Sequence, residues 1–282
     1  MSSIVIENIS KNFGSVKALN HINLELTEHK IYGLLGRNGA GKTTLLNLIN
    51  NRLFPSEGQI LFDGINIENN SSIQNQFYFI GEKSLYPDSM KVKALYKYTK
   101  MFHPDFDETY AYKLSEMFGV PLKKKLSSLS TGYKSIVKNI VALSVNVPFV
   151  FFDEPILGLD ANHRELFYKV LIEKYIDQPA TYVLSTHLIE EVSNIIEEVI
   201  IIKNGEVIKN ESKEALLDNG YSISGPTGLV ESYCSGKELI GFDTLGGLRS
   251  AYIVGKPDEN IPQGLELSGM DLQKLFIQLT NI

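Results

Sequence analysis

The sequence predicts an α/β fold with a parallel sheet at its centre, and three observations predict it. Residues 36–44 read GRNGAGKTT, set between an apolar run at 31–35 and a helix-compatible stretch at 43–49. That strand–loop–helix context with the spacing G-x-x-x-x-G-K-[ST] defines a phosphate-binding loop. Residues 149–152 and 182–184 are nearly unbroken apolar runs, as parallel strands covered on both faces are. Between these landmarks, residues 91–118 switch to helical spacing, which inserts a helical unit into the α/β core.

Taken in order, residues 4–6 and 22–26 alternate as half-buried strands do. Residues 58–64 read as a short strand closed by the Asp63-Gly64 turn, and 77–80 as another strand. In the insert, Val92, Leu95, Tyr96, Thr99 and Phe102 form one helical face, and Tyr110, Leu114, Met117 and Phe118 the next. Gly119 and Pro121 stop the second helix. The apolar run at 199–202 continues through Asn204-Gly205 into 206–208, a strong hairpin signal. Residues 1–212 thus make the main domain. From Lys213 the pattern changes to short apolar runs punctuated by glycine, which predicts a small α+β appendage over 213–282. There, Ser268 to Asp271 reads as a capping box opening a last helix that runs through Leu279.

Composition narrows the function. A net charge of −6 with no basic stripe argues against nucleic acid as a ligand. The lone Cys234 excludes a disulfide framework and fits a reducing compartment. The longest apolar region, 140–152, is broken by Ser144, Asn146 and Pro148, too short for a spanning helix of roughly 20 apolar residues. No signal peptide is expected, because the first residues alternate polar and apolar.

The chemistry begins at the glycine-rich loop. Gly36, Gly39 and Gly41 let backbone N–H groups turn inward around phosphate oxygens, with Asn38 and Thr44 on the same loop and helix start. Lys42 reaches the β- and γ-phosphates, and the Thr43 hydroxyl helps hold Mg²⁺. A nucleoside triphosphate and Mg²⁺ are the expected cofactors. Asp153 and Glu154 end a buried strand; the first suits a metal ligand and the second a base for the attacking water.

From these stations the chain resembles the ATP-binding subunits of ABC transporters over residues 3 to 210. Residues 129–133, LSTGY, resemble the family signature LSGGQ with Thr and Tyr substituted. The resemblance implies an ABC-type P-loop NTPase core with an antiparallel β subdomain and a helical subdomain at about 83–145. It also implies an ATPase in which Ser130 and Gly132 contact the nucleotide of a second ATPase subunit. Gly158-Leu159-Asp160 resembles the D-loop at the dimer interface, and His187 the switch histidine that contacts the γ-phosphate. Phe13 matches the adenine-stacking aromatic, with an ordinary core phenylalanine as the alternative. Glu82 stands where the family usually has Gln, and as a carboxylate it could still ligate Mg²⁺ and serve catalysis.

The short insert, the single phosphate loop and the absence of a cysteine-rich module point to a subunit that powers a separate integral membrane transporter subunit. Such a chain sits peripherally on the cytoplasmic side of the cell membrane. The LSTGY signature, the acid at 82 and Leu85-Tyr86-Pro87 resemble bacterial exporters of drugs, bacteriocins or amphipathic peptides. The insert holds many aromatics, among them Tyr86, Tyr96, Tyr98, Phe102, Phe106, Tyr110 and Tyr112; most belong to the core, and the surplus are candidates to line a groove for a membrane-subunit helix. The alternative is a soluble mechanochemical ATPase acting on ribosome or DNA, disfavoured by the acidic charge and the lack of a second cassette.

Overall fold

A computed structural model describes residues 2–68, 70–81 and 86–281. β1 (Ser3–Phe13) and β2 (Val16–Thr27) pair antiparallel through a turn at Gly14. β3 (Ile31–Leu35) leads through the glycine-rich loop into α1 (Lys42–Ile49). β4 (Glu57–Phe62) and β5 (Ile65–Asn66) follow, joined by Asp63-Gly64, both at positive φ. These four outer strands form one antiparallel sheet in the order β2-β1-β4-β5. α2 (Ser71–Gln74), capped by the Asn70 side chain, precedes β6 (Phe77–Ile80).

The helical insert contains α3 (Val92–Phe102), α4 (Glu108–Met117) and α5 (Thr131–Ser144). The buried stripe of α3 is Val92, Leu95, Tyr96 and Thr99, whereas Phe102 is 77% exposed, against the face read from sequence. Thr99 takes the buried position of the last turn, and Phe102 lines an open groove with Met90 and Tyr98 instead. In α4 the stripe falls on Ala111, Leu114 and Ser115, which turns Met117 outward. Gly119 follows with φ 64°, a left-handed conformation that ends the helix.

β7 (Phe149–Asp153), α6 (Ala161–Asp177), β8 (Thr181–Thr186), α7 (Ile189–Val192), β9 (Glu198–Lys203) and β10 (Glu206–Ser212) complete the core. The central sheet has the order β10-β9-β3-β8-β7-β6, parallel except for the β9–β10 hairpin. Asn204 (φ 52°) and Gly205 (φ 80°) make that hairpin's turn, where two consecutive positive φ values match the strand twist. The continuous apolar character of these strands has a direct cause. Val150 and Phe152 enter a core with α3 to α6, while Phe149 and Phe151 enter a second core with α1 and the outer sheet. Edge-to-face contacts link Phe62, Phe77, Phe149 and Phe151 in the second core, with centroids 5.3–6.1 Å apart.

Beyond Ser212 come α8 (Lys213–Asp218), β11 (Gly220–Pro226), α9 (Thr227–Cys234), β12 (Leu239–Leu245), β13 (Leu248–Val254), β14 (Glu266–Gly269) and α10 (Leu272–Thr280). They carry their own antiparallel sheet, β12-β13-β11-β14, with α9 packed on Ile223, Ala251 and Ile253. The cap of α10 differs from the sequence reading. Asp271 is the N-cap, accepting from Lys274 N, because Ser268 and Gly269 are already used as strand residues of β14. Tyr252, Met270, Leu275 and Phe276 share one apolar cluster with Ile189, Val192 and Ile196 of the first part of the chain. Among the described residues, no helix is long and apolar enough to cross a membrane.

Candidate active site

Parallel strands bring the site together at their carboxyl ends. β3 and β8 are in register with Leu35 opposite Thr186, and β7 and β8 with Asp153 opposite Ser185. Gly36, Asp153-Glu154 and Ser185 to His187 therefore emerge side by side. They meet a cavity of about 250 Å³ lined by Ala18, Asn38, Gly39, Lys42, Thr43, Thr44, Asp153 and Glu154.

The loop geometry requires its glycines. Gly39 has φ 82°, and Gly41, the residue before α1, has φ 112°. A Cβ on Gly41 would also lie 2.8 Å from Ala18 O. Lys42 is only 7% exposed, and its Nζ donates to Gly36 O at 2.6 Å. Burial lowers its pKa, opposed by the nearby carboxylates of Glu154 and Asp153. The ammonium is thus held inside the loop, aimed where an anion would sit at a helix N-terminus.

Two hydroxyls fix the buried Asp153 carboxylate. Thr43 Oγ1 donates to its Oδ2 at 2.7 Å, and Ser185 Oγ to its Oδ1 at 2.9 Å. Next to it, Glu154 occupies φ 50°, a left-handed conformation costly for a residue with a side chain. Its backbone N–H donates to Ser185 O at 2.9 Å, its Oε2 accepts from Thr186 Oγ1 at 3.3 Å, and its Oε1 lies 2.8 Å from His187 Nδ1. Thr43, Asp153, Ser185, Thr186, Glu154 and His187 form one connected polar chain, of which Thr43, Asp153 and Glu154 line the cavity. Thr43 and Asp153 offer the hard, closely spaced oxygens that Mg²⁺ takes when phosphate supplies further ligands, so the donor set fits that ion.

Other predicted residues lie elsewhere. Phe13 ends β1 and is 48% exposed, with the Lys11 ammonium 5.2 Å from its ring centroid, so it is not a core residue. Ser130 is the N-cap of α5, accepting from Tyr133 N at 3.3 Å. Asp160 is the N-cap of α6, and hydrogen bonds from the His163 N–H and ring lower its pKa. A Cβ on Gly132 would lie 2.5 Å from Gly158 O, so the signature loop and the 158–160 loop are packed backbone to backbone. Ser130, Gly132 and Asp160 do not line the phosphate cavity. Glu82 lies outside the described residues.

Sequence reasoning missed the roles of Ser185 and Thr186 in holding the two acids. The available signal was a hydroxyl pair ending the apolar run 182–184. It also missed Lys138 and Asn139, two polar residues inside the apolar run of α5.

A family model for the ABC transporter matches residues 19–157. The ABC transporter ATP-binding protein NatA of Bacillus subtilis is 30% identical over 214 residues, covering 73% of this chain and 87% of that protein. YtrB, an ABC transporter ATP-binding protein of the same organism, is 29% identical over 192 residues, 68% of this chain and 66% of YtrB. A solved ATP-binding subunit of an ABC transporter superposes with a TM-score of 0.68 at 21% identity, covering 76% of this chain and 91% of that one, and shares the fold. Matched proteins include ones named for import as well as an exporter. The chain belongs to the ABC transporter ATP-binding proteins. It is an ATP-binding, ATP-hydrolysing subunit that powers a transporter.

Proposed function

We propose that this chain drives export by hydrolysing Mg²⁺-ATP held between two ATPase subunits, while docked on the cytoplasmic face of an integral membrane subunit. The observation that carries the reading is the connected chain from Thr43 through Asp153 and Ser185 to Glu154 and His187. Bound Mg²⁺ would supply charge neutralisation at the phosphates, held by Thr43 and Asp153. Lys42 binds the β- and γ-phosphates, and Phe13 stacks on the adenine. Glu154 orients and deprotonates the attacking water, and His187 holds the Glu154 carboxylate while facing the γ-phosphate. Ser130 and Gly132 complete the nucleotide site of the partner subunit from the N-terminus of α5, and Asp160 belongs to the same interface.

Two features support the membrane partner and the direction. An apolar groove of about 400 Å³ runs beside α3, lined by Tyr78, Tyr86, Met90, Leu95, Tyr98 and Phe102. Its exposed Tyr98 and Phe102 give a helix of the membrane subunit an apolar seat. Export rests on the LSTGY signature, the acid at position 82 and the Leu85-Tyr86-Pro87 sequence. Glu82 would sense the γ-phosphate, and residues 213–282 would serve as an accessory domain in subunit pairing or regulation.

The test is Lys42→Ala. The variant should lose ATP binding and hydrolysis together, since a charge-assisted contact of this kind is worth about 1.5–3 kcal/mol or more. Wild-type turnover in the folded variant would overturn the site assignment. Co-purification with an integral membrane protein from solubilised membranes, lost on Phe102→Asp, tests the docking groove.

A further inference from the structure

α5 does more than present the signature loop. One stripe of it is bound to the chain segment that follows Glu154. Gly132 abuts Gly158 O, Ser135 Oγ donates to Leu157 O at 3.2 Å, and Asn139 Nδ2 donates to Pro155 O at 2.8 Å. The positions 132, 135 and 139 fall on one helical face, three and four residues apart. Next to Asn139, Lys138 Nζ donates at 2.9 Å to Gly81 O, which follows the last residue of β6. β6 and β7 are parallel neighbours with Ile80 opposite Phe152. Adjacent residues of α5 therefore grip the tips of adjacent strands, one just before position 82 and the other just after Glu154.

Asn139 is an expensive choice for packing alone. It is 3% exposed among Ile136, Val137 and Ile140, and its Oδ1 is buried without a hydrogen-bond partner among the described residues. An unsatisfied buried acceptor lowers stability, and an aliphatic residue of the same size would avoid it. The orientation of the amide is fixed, because only its NH₂ can meet a carbonyl oxygen. What Asn139 gains is a fixed position for the Pro155 carbonyl, one residue beyond the strained Glu154 backbone at φ 50°. A left-handed glutamate persists only where its surroundings over-determine it.

We propose that Lys138 and Asn139 are positioning residues for ATP hydrolysis, bracing the tips of β6 and β7 against the helix that carries the signature loop. Asn139 holds the turn that aims Glu154 into the cavity, and Lys138 holds Gly81 at the tip of β6. A shift of the signature loop on engaging the partner's nucleotide is thereby passed to the water-activating residue, through a helix that meets the backbone of residues 155–158 at three points. The inference rests on the reading of Glu154 as the residue that activates water.

The experiment compares Asn139→Leu and Lys138→Met with the wild-type full chain, measuring kcat, KM for ATP, affinity for a fluorescent ATP analogue, and Tm. Each variant is expected to lose about 10-fold in kcat, because small misplacements of a reacting group are costly. KM and nucleotide affinity should stay within twofold, and Tm of Asn139→Leu should not fall. Lys138→Arg, which keeps a donor at that place, should recover most of kcat. Wild-type kcat in either folded variant, or a loss of affinity equal to the loss of kcat, overturns the brace. If Asn139→Leu does not fold, Lys138→Met and Lys138→Arg decide the outcome by the same criteria. The double variant Asn139→Leu/Glu154→Gln separates the two readings. It should be no slower than Glu154→Gln alone if Asn139 acts through Glu154. Full activity of Glu154→Gln beside a slowed Asn139→Leu would instead remove the role of Glu154.

Discussion

Glu154 Oε1 and His187 Nδ1 lie 2.8 Å apart, joining the tips of β7 and β8 where Glu154 lines the phosphate cavity. The contact ties the acid that follows Asp153 to a side chain thirty-three residues later. A carboxylate anchored by an imidazole and by the Thr186 hydroxyl is held in one orientation, which suits the role of general base proposed for it.

Glu154→Gln keeps the shape of that side chain and removes its basicity. ATP should still bind while turnover falls by roughly 10²–10⁴-fold, the usual worth of general-base help. Bound and unhydrolysed, ATP should hold two subunits together. Light scattering with ATP present should report a dimer, and a variant that stays monomeric counts against the nucleotide-sandwich arrangement.

Phe13→Ala tests the adenine contact. Half-exposed at the end of β1, the ring contributes little to the core, so stability should change by less than about 1 kcal/mol. Affinity for ATP should fall by an amount equivalent to about 1–3 kcal/mol, the worth of base–aromatic stacking. Titration with ATP and with inorganic triphosphate separates the two contributions, since only the first should weaken.

The site was legible in sequence where chemistry demands adjacent residues. Residues 36–44 and the pair Asp153-Glu154 are local patterns, and the apolar strands leading into them are equally local. The two-sided cores explain why the central strands read as unbroken apolar runs. What stayed hidden depends on residues far apart in sequence. Nothing local says that the Ser185 hydroxyl meets Asp153 or that Asn139 meets Pro155. α6 went unrecognised because its buried stripe, Phe167, Tyr168, Val170 and Leu171, continues into Lys174, a charged residue. Lys174 is buried by donating to the Asn146 and Gln178 side chains, which no periodicity reveals. At α10 the capping pattern pointed to Ser268, but strand pairing with Ser222 claims that residue first.

Gly132→Ala probes the contact between the signature loop and the 158–160 loop. The added methyl would sit 2.5 Å from Gly158 O, a backbone atom that cannot swing aside. Relieving the clash should cost about 1–3 kcal/mol, as overpacking does, and displace the N-terminus of α5. The variant should bind ATP with near wild-type affinity, because Gly132 does not line the phosphate cavity, yet lose ATPase activity and ATP-dependent pairing. Unchanged turnover with an unchanged Tm would remove the signature loop from the mechanism.

Truncation after Ser212 asks whether residues 213–282 form a separable accessory domain. The cut removes Tyr252, Met270, Leu275 and Phe276 from the cluster they share with Ile189, Val192 and Ile196. It also removes the Leu279 and Asn281 carbonyls that accept from Lys203 Nζ at 3.2 and 2.9 Å. Each large apolar side chain lost from such an interface removes about 1.5–3 kcal/mol of burial, so Tm should drop clearly. The phosphate loop and the tips of β3, β7 and β8 are built wholly before residue 190, so the shortened chain should keep its affinity for ATP. An ATP titration and a thermal melt on the same sample check both expectations. A soluble truncated chain that neither melts cooperatively nor binds ATP would show that the C-terminal sheet and α10 belong to the core fold, and that no boundary exists at Ser212.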